Sequence, residues 1–256
     1  MLSNIIEIII LSLVQGVSEF LPISSSAHLN IIEIIFEFKS NSLIINVSLH
    51  LGSLLAIVFY FRNELLDLRN NQKLLLLITI GSIPIMIAGY FLYTTKLVFL
   101  ISDNLELIAW TTLIFGIILY FADKNKSDKK ISSNLSLKTI LYIGFFQILA
   151  LIPGVSRAGI TITTARIFNF NRFDSSKISF LLAIPALTGA SILSLKDIFQ
   201  KSFELNYLIF IAIILSFLFS YLTIKFFLIF INKFSLNIFV IYRIIVSIIL
   251  FIIIYN

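Results

Sequence analysis

Cysteine is absent from this chain, which excludes disulfides, thiolate metal sites and cysteine nucleophiles together. Charge is scarce as well. Asp, Glu, Lys and Arg make up 12% of the residues, about half the roughly 25% of a soluble domain. That is too little to cover a globular surface. With 59% hydrophobic residues and a mean hydropathy of +1.05, the composition is that of an integral membrane protein. The opening Met1-Leu2-Ser3-Asn4 lacks the basic start of a signal peptide, so the first apolar run is expected to be retained.

The net charge is +6, and its distribution is informative. Lys124-Asn125-Lys126-Ser127-Asp128-Lys129-Lys130, followed by Lys138, is the densest basic stretch, and Arg62, Arg69 and Lys73 form a second cluster. Basic short loops stay on the cytoplasmic side, so both clusters are expected there. A solvated, topology-setting loop is favoured over nucleic-acid or anionic-lipid binding, and no nucleic-acid partner is expected.

A bilayer crossing needs ~20 mostly apolar residues. The runs that qualify are Leu43–Phe61, Leu74–Tyr93, Leu97–Phe121, Ile178–Leu195, Tyr207–Phe230 and Leu236–Ile254. The basic clusters flank the second and third, predicting a hairpin whose turn, near Thr94 to Asn104, faces outward. Two further apolar stretches, Ile5–Ile23 and Thr139–Ile152, run straight into polar, proline-marked segments. These segments are Gln15-Gly16-Val17-Ser18-Glu19-Phe20-Leu21-Pro22-Ile23-Ser24-Ser25-Ser26-Ala27-His28 and Pro153-Gly154-Val155-Ser156-Arg157-Ala158-Gly159-Ile160-Thr161. Irregular backbone at membrane depth survives only where protein or a watery cavity satisfies it, and ionisable groups there read as functional by default.

The two interruptions echo each other. Gln15 precedes Phe20-Leu21-Pro22-Ile23-Ser24-Ser25 as Gln147 precedes Leu151-Ile152-Pro153-Gly154-Val155-Ser156, and Ser53–Ile57 echoes Phe180–Ile184. Matching interruptions in two halves point to an inverted repeat with its site at the repeat interface. The expected fold is an all-α integral membrane protein. It is a polytopic helical bundle with two re-entrant or broken-helix segments and an inverted repeat. It forms one membrane domain over 1–256, with halves of roughly 1–122 and 139–256 joined by the basic loop 123–138.

Gln15 and Glu19, four residues apart, share a helix face. Pro22 ends or kinks that helix, and Ser24-Ser25-Ser26 can cap a following one that carries His28 near its start. Glu19 can hold a divalent cation or position a water, and His28 suits acid–base work near neutral pH. A serine can act as nucleophile or as donor to phosphate. Any single serine serves equally well as interhelical glue. In the second interruption Pro153-Gly154 frees the backbone, Ser156 and Arg157 supply a hydroxyl and a planar cationic fork, and Gly159 keeps the approach open. This reads as an anion site, whereas Arg166 and Arg172 read as snorkelling cations. His50 reads as a satisfied interhelical histidine rather than a cavity group. For Arg243, anionic-lipid binding and pairing with a carboxylate both stand open.

At these two motifs the chain resembles the undecaprenyl-diphosphatase family of bacitracin-resistance membrane phosphatases. The first family motif matches at Gln15, Glu19, Phe20-Leu21-Pro22, Ser24-Ser25 and His28, and the second at Pro153-Gly154, Ser156-Arg157 and Thr161. The likeness runs through Leu51-Gly52-Ser53 and Phe180–Pro185 to Ile241-Tyr242-Arg243. The chain departs from the pattern at Ala158, where serine is usual, and carries Gln15 as the permitted variant of an acidic position. His50 lies where relatives often carry Gln.

The resemblance implies removal of the terminal phosphate from undecaprenyl diphosphate, which recycles the carrier lipid for peptidoglycan synthesis. It implies Glu19, His28, Ser25 and Arg157 as catalytic residues, and Ser24, Gly154, Ser156, Arg157 and Thr161 as substrate-binding residues. Glu19 and Gln15 would hold Mg²⁺ or Ca²⁺. The expected partners are the polyprenyl diphosphate and membrane lipid, with a homo-oligomer left open. The expected place is the bacterial cytoplasmic membrane, with the site toward the outer, periplasmic face. A prenyl-phosphate lipid transporter or flippase is the alternative from another class, since broken helices in inverted repeats are as typical of transporters. A small-anion channel is the weaker third reading.

Overall fold

Polar residues flanking the apolar runs decide where the helices begin. The computed structural model describes residues 2–36, 43–97, 104–125, 129–200 and 207–255. Two shorter helices, α1 (Leu2–Ser18) and α2 (Ser25–Phe36), precede α3 (Leu43–Tyr60). A single turn, α4 (Arg62–Leu66), leads into α5 (Leu68–Thr95), followed by α6 (Leu105–Asp123) and the one-turn α7 (Ile131–Asn134). Then come α8 (Leu137–Gln147), a 3₁₀ turn (Ile148–Leu151) and α9 (Arg157–Ile167). The long helices α10 (Arg172–Gln200), α11 (Tyr207–Lys233) and α12 (Asn237–Tyr255) complete the chain. Among the described residues no strand forms, and Lys129 and Phe170 make an isolated parallel bridge.

Helices α3, α5, α6, α10, α11 and α12 are long and apolar enough to cross a bilayer, and the chain is an all-α, multi-pass membrane protein. Two of them start before their apolar runs because caps are available. The Asp67 side chain accepts from the Asn70 N–H at 3.3 Å and opens α5, so Arg69 and Lys73 lie in its first turns rather than in a loop. Asn171 Oδ1 accepts from the Asp174 N–H at 2.8 Å and opens α10. Asn104 caps α6 at 2.9 Å. The expected outward turn lies partly on residues 98–103, and Lys126, Ser127 and Asp128 of the basic run also lie outside the described residues.

Large apolar side chains point outward, Ile87 at 65% and Phe121 at 62% exposure among them, while Arg243, Gln15, Gln147 and many serines are buried. Apolar surface gains little from leaving lipid, so such helices associate through close packing and internal hydrogen bonds. Small residues permit that here. A Cβ on Gly52 of α3 would sit 2.5 Å from the Ile213 carbonyl oxygen of α11, and one on Gly16 of α1 would sit 2.5 Å from Phe219 Cβ. Ser53, Ser216 and Ser220 then bridge α3 and α11 with hydrogen bonds of 2.9 and 3.2 Å. At the basic end, Asp123 takes Arg172 at 2.7 and 2.9 Å, Arg166 at 3.3 Å and the Leu236 N–H at 3.0 Å. This ties α6, α9, α10 and the start of α12. Arg166 is therefore a buried tie and not a snorkelling cation.

Candidate active site

At each of the two sequence interruptions a helix stops and another restarts. α1 ends at Ser18, the chain turns through Pro22, and α2 starts at Ser25. α8 passes through its 3₁₀ turn, Gly154 takes φ +86°, and α9 starts at Arg157. Only glycine reaches that φ without strain, and a Cβ there would also meet Thr111 Oγ1 and sit 2.8 Å from the Ile108 carbonyl. Each break ends on a serine with positive φ, Ser24 at 76° and Ser156 at 72°. Such backbone costs on the order of 1–3 kcal/mol and concentrates at functional sites. Ser156 offsets part of the cost by capping α9, accepting from the Gly159 N–H at 3.0 Å.

Glu19 is where the two motifs meet. Its Oε1 accepts from Arg157 Nη2 at 2.9 Å, across 138 residues of sequence separation. Its Oε2 accepts from Ser25 Oγ at 2.7 Å and from Gln15 Nε2 at 3.1 Å, with His50 Nδ1 3.8 Å away. Arg157 also donates to the Ser179 carbonyl at 3.1 Å. The Glu19 and Arg157 side chains are 5% and 11% exposed, so the pair is held by geometry rather than by solvent. Each supplies the charge the other needs at this depth.

These groups stand on the wall of a cavity of about 550 Å³. Its polar wall is Glu19, Ser24, Ser25, Ser26, His50, Ser156 and Arg157. The rest is mostly apolar and comes chiefly from α5 and α10, including Met86, Leu187 and Ile192, with Tyr90, Tyr93 and Ser194 among them. Pro84 and Pro185 lie inside those two helices, and the residues directly after each, Ile85 and Ala186, line the cavity. The starts of α2 and α9 both border it, which brings two sets of free N–H groups to one space. That arrangement attracts an anion.

Of the sequence-derived site residues, Glu19, Ser24, Ser25, Ser156 and Arg157 meet at this wall. Gln15 stands behind Glu19, fully buried. Gly154 and Thr161 shape the second motif from behind: the Thr161 hydroxyl donates to the Arg157 carbonyl at 2.8 Å and shares a hydrogen bond with the Ser179 hydroxyl at 2.7 Å. His28 lies away from the cavity lining. Its Nδ1 bonds the Ser24 carbonyl at 2.6 Å, its Nε2 meets the Tyr242 hydroxyl at 2.6 Å, and its ring stacks on Tyr242. His50 makes the interhelical contact read from sequence, with Gln15 Nε2 at 3.0 Å, and also lines the cavity.

Arg243 follows neither sequence reading. It is fully buried, away from lipid, and no carboxylate pairs with it among the described residues. Its guanidinium donates instead to five carbonyls: Thr112 at 3.0 Å, Pro22 at 3.3 Å, Val155 at 3.1 Å, Thr111 at 3.4 Å and Gly154 at 2.9 Å. Both motif loops hang from this one side chain. Backbone carbonyls leave no mark in a sequence, and only the rarity of an arginine inside an apolar run could have signalled it.

The bacitracin resistance protein BacA family matches residues 8–249, nearly the whole chain. The chain belongs to this family. Among its BacA relatives, an undecaprenyl-diphosphatase of Pelagibacter ubique (strain HTCC1062) is 80% identical over 256 residues, covering all of both chains. Undecaprenyl-diphosphatases of Elusimicrobium minutum and Alteromonas mediterranea are 38% and 37% identical, covering 96% and 94% of this chain and 97% and 95% of theirs. The BacA match spans both interruptions.

Proposed function

We propose that this chain is an undecaprenyl-diphosphate phosphatase: it hydrolyses the lipid diphosphate to undecaprenyl phosphate and inorganic phosphate. The observation that carries the reading is the convergence of Ser25, Glu19 and Arg157 at two helix starts, at the polar end of an otherwise apolar cavity. Ser25 Oγ donates to Glu19 Oε2 at 2.7 Å, the pairing of a nucleophile with its base. Glu19 takes the Ser25 proton as the oxygen attacks the terminal phosphorus. The bond from that phosphorus to the bridging oxygen breaks and the prenyl monophosphate leaves. Water then cleaves the phosphoserine, releasing phosphate and restoring the hydroxyl. The remaining N–H donors of Arg157 and the α2 and α9 starts stabilise the charge on the transferring group. His28 supports this from outside the cavity by holding the Ser24 turn.

A divalent cation, Mg²⁺ or Ca²⁺, fits the donor set. The Gln15 Oε1 atom is buried without a hydrogen-bond partner, and Glu19 lies one helical turn on. The Glu19 carboxylate oxygens, with phosphate oxygens of the substrate, are the ligands such ions take; Gln15 Oε1 would join them only with its amide turned over, since its nitrogen faces Glu19 in this structure. Among the described residues no three His, Cys, Asp or Glu side chains gather into a site, so the substrate completes it. When bound, the cation neutralises phosphate charge.

Orientation follows from the basic ends. α5 begins beside Arg62, Arg69 and Lys73, and α10 begins at Arg172, in contact with Asp123. The cavity is lined by the later parts of both helices, including Tyr93 and Leu193. With the basic ends cytoplasmic, the cavity opens toward the outer face of the cytoplasmic membrane. α9, at 1.5 Å per residue about 16 Å long, runs from the cavity toward the basic end. The inverted repeat has matching support: α1 packs on α11 as α8 packs on α5, and α3 packs on α11 as α10 packs on α5.

The deciding experiment is phosphate release from a prenyl diphosphate by detergent-purified protein, with Mg²⁺, with Ca²⁺ and with EDTA. Metal-dependent release that is lost in Arg157→Ala is expected. Folded wild-type protein that releases none under any metal would overturn the reading in favour of lipid transport.

A further inference from the structure

The hydrogen bonds around Gln15 fix more than its own position. Gln15 Nε2 lies 3.1 Å from Glu19 Oε2 and 3.0 Å from His50 Nδ1. The carboxylate only accepts, so the amide nitrogen, and not the amide oxygen, faces this pair. An amide nitrogen only donates. His50 Nδ1 is therefore an unprotonated acceptor, and the ring proton of the neutral imidazole sits on Nε2. That nitrogen points away from Gln15 on a ring that lines the cavity and is about one-third exposed (35%). Among the described residues it has no partner.

The other histidine is held the opposite way. His28 Nδ1 faces a carbonyl and must donate to it, which leaves Nε2 to accept from the Tyr242 hydroxyl. The chain's two histidines thus carry their protons on different nitrogens. Of the two, only His50 lines the cavity, and among the described residues its Nε2–H is unused.

We propose that His50 is a phosphate-contacting residue, whose Nε2–H donates to the substrate's diphosphate and whose tautomer is set by Gln15. This rests on the diphosphatase reading of the cavity. Glu19 is approached by Arg157 through Oε1, with Gln15 and His50 on the Oε2 side. A diphosphate beside Ser25 thus meets a guanidinium on one side and the imidazole N–H on the other. Gln15 has two amide hydrogens, and its two shorter contacts are with Glu19 and His50, Ser53 Oγ lying further off at 3.5 Å, so it transmits the carboxylate's position to the ring.

Histidine-¹⁵N spectra of the detergent-solubilised protein test this directly, with His28→Asn to assign the signals. The expected result is an unprotonated Nδ1 and a protonated Nε2 for His50. A non-hydrolysable prenyl methylenediphosphonate should shift the Nε2 signal, and Gln15→Glu, which can only accept, should move the proton to Nδ1. In kinetics, His50→Ala should raise KM about ten- to hundredfold, the worth of a hydrogen bond to a charged group. kcat should change far less. His50→Gln, whose amide can accept from Gln15 and donate to phosphate, should restore most of the loss, and His50→Phe none. A proton on Nδ1 in the wild type overturns the proposal. So does an unmoved Nε2 signal while the analogue's phosphorus signal shows it bound, though the diphosphatase reading then stands. An analogue that does not bind folded wild-type protein brings down both.

Discussion

Glu19 and Arg157 compensate each other's charge in a nearly dry setting, and removing either leaves the other uncompensated. Glu19→Ala and Arg157→Ala should each lower phosphate release at least about a hundredfold. Each should also reduce thermal stability in detergent, because breaking a buried pair costs about 3–5 kcal/mol. The double variant should lose much less stability than the sum, since the two residues share one interaction. Melting curves and phosphate-release rates on the three proteins check both. Arg243 predicts a different pattern. Lysine keeps the charge but not the planar fork, so Arg243→Lys leaves several of its carbonyls unpaired, at about 1–3 kcal/mol for each group left unsatisfied. Melting temperature and phosphate release should fall together, since both motif loops depend on that side chain while neither loses a reacting group.

At the scale of helices, the crossing of α3 with α11 positions His50, because Gly52 allows the approach two residues further along α3. Gly52→Ala would force a Cβ to within 2.5 Å of the Ile213 carbonyl, a backbone atom that cannot rotate away. Overpacking of this kind costs about 1–3 kcal/mol, and a lower melting temperature with a raised KM is the expected result. Much at this scale was legible in the sequence. Six apolar runs became six helices because composition alone decides what can face lipid, and the paired interruptions marked both breaks. Helix starts were less legible: α5 and α10 extend into polar sequence where Asp67 and Asn171 cap them. The placements of the two histidines were not legible. His28 sits within the motif but faces Tyr242, 214 residues away, and His50 sits outside it but meets Gln15. Helix phase and tertiary pairing decide both, and neither is written in local spacing.

For the whole molecule, the arrangement of ends predicts an accessibility pattern. The chain has no cysteine, so a single introduced one reports cleanly. A membrane-impermeant maleimide added to intact cells should label Tyr90→Cys, on the cavity wall, and should leave Lys124→Cys, at the basic end, unlabelled until the membrane is opened. The reverse pattern would invert the orientation.

The cavity wall has a further consequence. Tyr90 and Ile192 of α5 and α10 line it while remaining 59% and 61% exposed, so the cavity is open along its apolar side, where a membrane-embedded bundle meets lipid. A long prenyl chain then enters sideways, with its tail still dissolved among acyl chains, and the encounter takes place in two dimensions. Turnover will follow the mole fraction of substrate among the surrounding amphiphiles rather than its bulk molarity, and adding inert detergent will slow the enzyme by surface dilution alone.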